Sequence, residues 1–579
     1  MDRRCALAAV LLLLSINART CRAEDPSTVL PLAVHQGRCS FVLPTHGADD
    51  KYYLVISSLS RRAGPYTVTV ETVTDSGPPS LPLEPMAPDA GRSAPVGAAR
   101  EDETFADFPP LPSPPAHRVF DLFLGEQEFQ DRSRYIAVAA TLRAVGKHCQ
   151  VYVDDTLPRP ADLQPTVDDA ILAFDDDIFP RARRLFGRAL DVDRDGRFTL
   201  LFSPLLARLG NGKVNLGGFV RGCDFYRDVA SPFGNRCDMM YLNTDLVPGT
   251  HLRTLVGHEY THAIVFSQHL FGNYQPGPGR QDEESWLNEG LAHIAEAAHG
   301  YGWSNLDYRV STFLNRPQAY ALVVSDYYSS GIWRDPGTRG DTYLFLRWCV
   351  DRFGVDLLGR LARSNRSGTA NLEAATGRPF AELFRLWSTA LLTSDGWHMA
   401  SAHFPDAAAT GRLLCGPHFE EMPLGGAHRE CSVAGTGTAY LLLHSPVGPN
   451  ARITVKAPAA AELQVSLVPL PAATARLSVN VVPIPGEDRV RLVLHGSDAG
   501  ATLTAAAWER VLPTGKDDTN YRAGSGPETA RAWFGDLHLH PGETRTSVPV
   551  SVPSAGPLIF KVTATDDGGR HIAGWATLR

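Results

Sequence analysis

At 579 residues the chain has room for several domains of about 100 to 200 residues each, and one small module is excluded. Hydrophobic residues make up 44% and charged residues 20%, which excludes wholesale disorder and a multi-span membrane protein. The formal charge is −8, from 55 basic and 63 acidic residues, and no basic block stands out, so the sequence offers no surface for nucleic acid or anionic lipid.

Arg3 and Arg4 precede an apolar run from Ala6 to Ile16, followed by the small residues Ala18 and Ala23. Residues 1–23 therefore read as an export signal, too short to span a bilayer. With no later apolar run of about 18 residues, the chain is expected to be exported, periplasmic or secreted, from a bacterial host, and to have no membrane span. Removing the signal leaves Cys39, Cys149, Cys223, Cys237, Cys349, Cys415 and Cys431, an odd number. Cys349 lies in an amphipathic run from Asp341 to Gly354 and is expected to be a buried free thiol. Proximity in an oxidising compartment favours Cys223 with Cys237 and Cys415 with Cys431, which leaves Cys39 with Cys149, although other connectivities stay open.

Residues 24–76 contain β-branched and aromatic runs such as Tyr66-Thr67-Val68-Thr69-Val70 and predict a small N-terminal β unit. A linker or extended arm follows over 77–118, where 11 prolines fall between positions 78 and 115, too many for a helix or a central strand. Residues 119–400 mix strands with helical patterns over Val167 to Phe186, Thr250 to Phe271, Ser285 to His299 and Asp341 to Phe353. Short strands with Gly/Pro turns then predict a β-rich module over 401–473 and a C-terminal β-sandwich-like module over 474–579. The fold class expected is multidomain α+β.

The chemistry concentrates in His258-Glu259-Tyr260-Thr261-His262. Histidines at i and i+4 share one helical face and can present two imidazole nitrogens to one metal ion, while the intervening glutamate reaches a water beside it. Neutral imidazoles and an open coordination position suit zinc. A structural alternative is a polar, exposed helix face, but Leu255, Val256, Ala263, Ile264, Val265 and Phe266 predict a buried helix whose histidines need partners. Glu289 lies 27 positions after His262, in Trp286-Leu287-Asn288-Glu289-Gly290-Leu291-Ala292, and offers a third ligand from a second helix. Glu283, Glu284 and Glu296 compete for that role. The metzincin spacing fails, because Val265 and Gln268 stand where Gly and His would be required.

Together these two segments resemble the gluzincin metallopeptidases. Phe174 to Gly187, Asp191 to Phe202, Cys237 to Asp245, Tyr343 to Gly354 and Phe380 to Leu392 extend the likeness to the hyicolysin-type family of secreted neutral metallopeptidases, over roughly 145 to 395. The resemblance implies a central zincin-like domain of a small mixed sheet plus helices, one catalytic zinc held by His258, His262 and Glu289, and Glu259 as general base. It implies protein or peptide substrates and endopeptidase activity; an aminopeptidase and a surface-associated binding or adhesion protein on a zincin scaffold are the alternatives. Thermolysin-like enzymes carry an Asp four residues after the third ligand to orient a zinc histidine. His293 occupies that position here, so the orienting group is unassigned. Tyr343, Tyr328 and His299 are the candidates for stabilising the carbonyl oxygen, and the strand Met239 to Asn243 is expected to form the edge of the cleft.

Asp191, Asp193 and Asp195, followed by Gly196, match the front of a calcium loop, with Arg197 and Thr199 completing the candidate set. Phe202 replaces the bidentate Glu of a full EF-hand, so a structural Ca2+ would need a ligand from elsewhere, for which Asp175 to Asp177 are one source. The alternative is an acidic solvated turn.

Overall fold

The computed structural model describes residues 29–43, 51–62, 64–84, 113–125, 129–212, 216–271, 282–301, 303–332 and 335–393, together with shorter runs between 397 and 578. The export signal, most of the proline-rich segment and Cys415 lie outside the described residues. The architecture is multidomain α+β with several separate sheets.

The two outer segments read from sequence as separate modules, 24–76 and 401–473, form one β-sandwich. Lys51–Ser58 pairs antiparallel with Thr438–His444 on one side and Leu463–Leu470 on the other. In the second sheet Tyr66–Thr74 lies between His428–Val433 and Ala451–Lys456, and Arg38–Leu43 joins the latter. Leu54, Ile56, Leu441 and Val465 of one sheet meet Phe41, Val68, Val70 and Ile453 of the other in a common core. Alternation with period two puts those side chains on one face. The opposite face of the first sheet is buried too: Tyr53, Val55, Tyr440, Leu442 and Val468 belong to the large central core, which explains why these strands read as nearly continuous apolar runs. Nearest-neighbour reading of the sequence could not join segments more than 350 positions apart. The start of the proline-rich arm also belongs here, since Ser80 bridges Val42 and Leu83 bridges Leu32.

The central unit is thus inserted between strands of the sandwich. Its sheet contains β1 (His117–Phe123), β2 (Tyr135–Val145), β3 (Cys149–Asp154), β4 (Phe198–Ser203), β5 (Gly218–Phe219) and β6 (Met239–Asn243), in the order β1-β2-β3-β4-β6-β5. The β3-β4 and β4-β6 pairs are parallel and the others antiparallel. Helix α1 (Gln164–Ala173) continues through a π-turn, Phe174–Ile178, into α2 (Phe179–Leu185). Pro180 has no N–H to offer the preceding turn, which accounts for the interruption in the predicted single helix.

Three longer helices carry or support the chemistry: α3 (Thr250–Phe271), α4 (Ser285–Ala298) and α6 (Pro336–Phe353), with α5 (Trp303–Asn315) packed against α6. Asp335 caps α6, its side chain accepting from the Thr338 N–H, Pro336 opens the first turn where its missing N–H costs nothing, and Gly354 at φ 84° ends it. Two glycines permit close helix crossings. A Cβ on Gly340 would stand 2.2 Å from the Arg309 carbonyl oxygen, and one on Gly290 would stand 2.9 Å from Thr342 Cγ2. These approaches lock α5 and α4 to α6.

The C-terminal module is a second two-sheet unit, as its strand spacing predicts. Val479, Leu492 and Leu494 of one sheet pack against Leu503, Phe560 and Val562 of the other, with Ala530 and Phe534 of the helix Pro527–Phe534 closing the core. No helix among the described residues is long and apolar enough to cross a membrane.

The expected disulfides are corrected. Cys39, Cys149, Cys223, Cys237 and Cys431 are free thiols in the structure. Cys39 lies in the sandwich core and Cys149 in the central core, on different sheets, and Cys237 is fully buried with its thiol directed at the Thr199 hydroxyl, 3.4 Å away. The Cys415–Cys431 expectation falls outside the described residues through Cys415. Cys349 is a buried free thiol, as its place on the apolar face of α6 predicts.

Candidate metal centre

The inner face of α3 presents His258 and His262 one turn apart, and α4 crosses it carrying Glu289. His258 Nε2 and His262 Nε2 lie 3.1 Å from each other, and Glu289 Oε2 lies 3.4 Å from the first and 3.9 Å from the second. For ligands about 2.05 Å from a tetrahedral zinc, the edge between donor atoms is about 3.3 Å, so the three atoms already stand near the corners of such a site. Glu289 Oε2 is buried without a hydrogen-bond partner. A buried carboxylate oxygen with no donor is costly, and a cation between it and the two imidazoles resolves the cost. The donor set fits a divalent metal.

The remaining atoms of each ligand are held by their surroundings. Glu296 Oε1 accepts from His258 Nδ1 at 2.6 Å, which turns His258 Nε2 toward the centre. Asn288 Oδ1 does the same for His262 Nδ1 at 3.0 Å. Arg339 on α6 donates to Glu289 Oε1 at 2.8 Å, leaving Oε2 to face the histidines. Outer partners of this kind fix tautomer and orientation in metal sites. Glu296 also accepts from His293 Nδ1 at 2.9 Å, and from Asn305 Nδ2 at 2.9 and 3.0 Å.

Charge in the pocket points the same way. At His258 burial disfavours the imidazolium, yet the negative charge of the facing Glu289 and Glu296 carboxylates, the latter accepting from Nδ1, outweighs it and lifts the group to about 10. The carboxylates thus draw a proton into the place a metal ion would neutralise. Burial lowers His262 and His293 to about 4, leaving them neutral imidazoles. Burial pushes the Glu259 carboxyl up to about 7, with Glu289 adding repulsion and His258 opposing it, a range suited to exchanging a proton near neutrality.

Other sequence candidates resolve differently. Glu283 faces His269 at 3.6 Å and accepts from the Gly368 N–H and from Asn371, while Glu284 accepts from Trp286 Nε1, so neither joins the trio. Glu296 belongs to the site as a support of His258, although the sequence offered it only as a rival third ligand. Tyr343 is interior and its hydroxyl accepts from Arg347. Tyr328 is 52% exposed on the turn that follows Asp326. His299 packs behind α3 against Gly257 and faces Asp177, 3.5 Å away. The structure brings none of these three to the trio. The strand β6 is not an edge either: it pairs with β4 on one side and β5 on the other, and all five of its residues are buried.

His293 and Glu296 were legible in principle, since they share α4 with Glu289, and offsets of four and seven return to one helical face; Asn288, one position before Glu289, carried no such spacing signal. Arg339 was not legible either, because only the packing of α6 on α4 brings it across 50 positions.

No family model matches the chain, and no curated protein matches it. Among solved structures, Legionella pneumophila aminopeptidase A in complex with aspartic acid aligns over 75% of this chain and 35% of its own, at 8% identity and a TM-score of 0.26. A GH2 beta-galacturonidase from Eisenbergiella tayi bound to galacturonate aligns over 26% of this chain and 30% of its own, at 10% identity and a TM-score of 0.15. The chain spans about a third of the length of either. Likenesses this slight do not bear on function.

Proposed function

We propose that this protein is an exported zinc-dependent endopeptidase of the gluzincin kind, similar to the hyicolysin-type family. The observation that carries the reading is the convergence of three donor atoms, His258 Nε2, His262 Nε2 and the unpartnered Glu289 Oε2, with Glu259 on the same helix as the histidines. When bound there, zinc supplies Lewis-acid chemistry: it makes water a nucleophile near neutral pH and stabilises negative charge on a carbonyl oxygen.

The chain's own residues do the rest. Glu259 accepts a proton from the attacking water and returns it to the departing amine, a role that requires a carboxyl group poised between its two protonation states. Glu296, Asn288 and Arg339 fix the three ligands so that no reorientation is needed during the reaction. Burial of the trio by α3, α4 and α6 lowers the local dielectric and strengthens each of these interactions.

Hydrolysis of casein by the full chain, inhibited by phenanthroline and abolished in Glu259→Gln with zinc retained, is the expected result. Equal hydrolysis by Glu259→Gln refutes the assigned base. A folded, zinc-loaded wild type that cleaves no peptide supports the alternative of a binding protein on this scaffold. Cleavage of aminoacyl amides with failure on N-blocked peptides replaces endopeptidase by aminopeptidase.

A further inference from the structure

A second group of donors lies where β3, β4 and β6 begin, and the proposed hydrolysis does not use it. The loop before β4 turns through Arg194 at φ 63° and Gly196 at φ 77°, which brings carboxylate oxygens of Asp191, Asp193 and Asp195 within 4.8 Å of one another. Asp191 Oδ2 accepts from the Gly196 N–H at 3.2 Å and Asp195 Oδ1 from the Arg197 N–H at 2.8 Å. Arg118 on β1 takes Asp193 Oδ2 at 3.1 Å. These contacts leave Asp191 Oδ1 and Asp193 Oδ1 buried with no hydrogen-bond partner.

An independent observation comes from the sheet. Gln150 on β3 is 0% exposed, and its carboxamide is turned into the loop, with Nε2 2.5 Å from Asp195 Oδ2 and 3.0 Å from Thr199 Oγ1. Its Oε1 has no partner. A half-turn of the amide exchanges oxygen and nitrogen, so that Oε1 faces the loop while the Thr199 hydroxyl, a donor as well as an acceptor, keeps its contact. Behind the loop lies Asp238, buried, with Oδ1 accepting from the Val192 N–H at 2.8 Å. Repulsion from Asp193 and Asp191 adds to burial in pushing its carboxyl well up. Four carboxyl groups thus share the neighbourhood of the Arg118 guanidinium, and the unpartnered atoms are all oxygens.

We propose that this loop is a calcium site in which Asp191, Asp193, Asp195 and the Gln150 carboxamide supply the protein oxygens. Hard oxygen donors in a flexible, partly carboxylate cage suit Ca2+ and disfavour zinc or copper, which prefer nitrogen and sulfur. Gln150 takes the place of the ligand that the loop lacks at Phe202. Of the acidic run 175–177 that the sequence offered, Asp175 accepts from the Lys147 and His148 N–H groups and Asp177 from Arg181 and Tyr301, so neither is assigned to the loop. Thr199 stands behind Gln150 with its hydroxyl engaged by Gln150 and Cys237, so it supports the site without joining it. Bound calcium would pin the loop to the start of β3 and β4.

The test uses the full chain, stripped with chelator and reloaded with zinc, titrated with CaCl2 by calorimetry and with Tb3+ by luminescence. Tyr152 on β3, whose ring centroid lies 5.7 Å from Arg118 Cζ, provides a local sensitiser. We expect saturable binding of one Ca2+ at this loop, a raised thermal midpoint, and at least tenfold weaker binding in Asp193→Asn and in Gln150→Met, with Asp175→Asn unchanged. Absence of saturable binding by the folded wild type at millimolar calcium overturns the proposal, whatever the variants do. Undiminished binding by Asp193→Asn, or loss of binding in Asp175→Asn, also overturns it by placing the ion elsewhere.

Discussion

Replacing Glu296 by Gln keeps the shape of the side chain and removes its charge, which isolates what the carboxylate does for His258. In the wild type its oxygens accept from His258 Nδ1, His293 Nδ1 and Asn305 Nδ2, the shortest contact being 2.6 Å. A carboxamide offers one accepting oxygen and an NH2 group, so one side of this arrangement must set donor against donor. If the NH2 turns toward the histidines, His258 loses the acceptor that fixes Nε2 toward the metal. Outer-shell substitutions of this type cost about 10- to 100-fold in metal affinity, or about 1.4 to 2.8 kcal/mol. The lost charge adds to the effect by reducing the attraction of the pocket for a dication. We expect zinc affinity, measured by competition with a chromophoric chelator, to fall by that factor while the far-ultraviolet dichroism stays unchanged. Zinc bound within twofold of wild type by Glu296→Gln would refute the positioning role.

Two further outcomes follow from the same geometry. Arg339→Met removes the cation that donates to Glu289 Oε1 at 2.8 Å; removing one partner of a buried ion pair costs about 3 to 5 kcal/mol, so urea unfolding of the zinc-free variant should show a loss of up to that size, largely restored by zinc, and an equal loss with and without zinc would contradict the assignment. Deleting residues 417–470 removes both partners of Lys51–Ser58 and both partners of Tyr66–Thr74, so the N-terminal strands should become sensitive to limited proteolysis; protection equal to that in the full chain would mean that residues 29–84 form an independent unit.

The sequence by itself determined the helices that carry the chemistry and the histidine pair, and it offered Glu289 beside three rival glutamates. Thr250–Phe271 and Ser285–Ala298 appear almost at their predicted bounds, because a 3.6-residue period and an i, i+4 pair are local properties written in neighbouring residues. The C-terminal two-sheet module was legible for the same reason, through alternation and turn residues. Tertiary structure alone decided what depends on distant segments meeting. It made one sandwich of two segments separated by the central unit, since strand pairing is fixed by backbone hydrogen bonds that carry no residue code of their own. It placed Cys39 and Cys149 on different sheets, beyond any disulfide. It set Arg339 against Glu289 and Gln150 against the acidic loop, because side chains brought together by packing leave no spacing to read. Glu296 stands between the two cases: its offset from Glu289 placed it on the right face of α4, and only the crossing with α3 showed that it meets His258 at Nδ1, the ring nitrogen turned away from the trio.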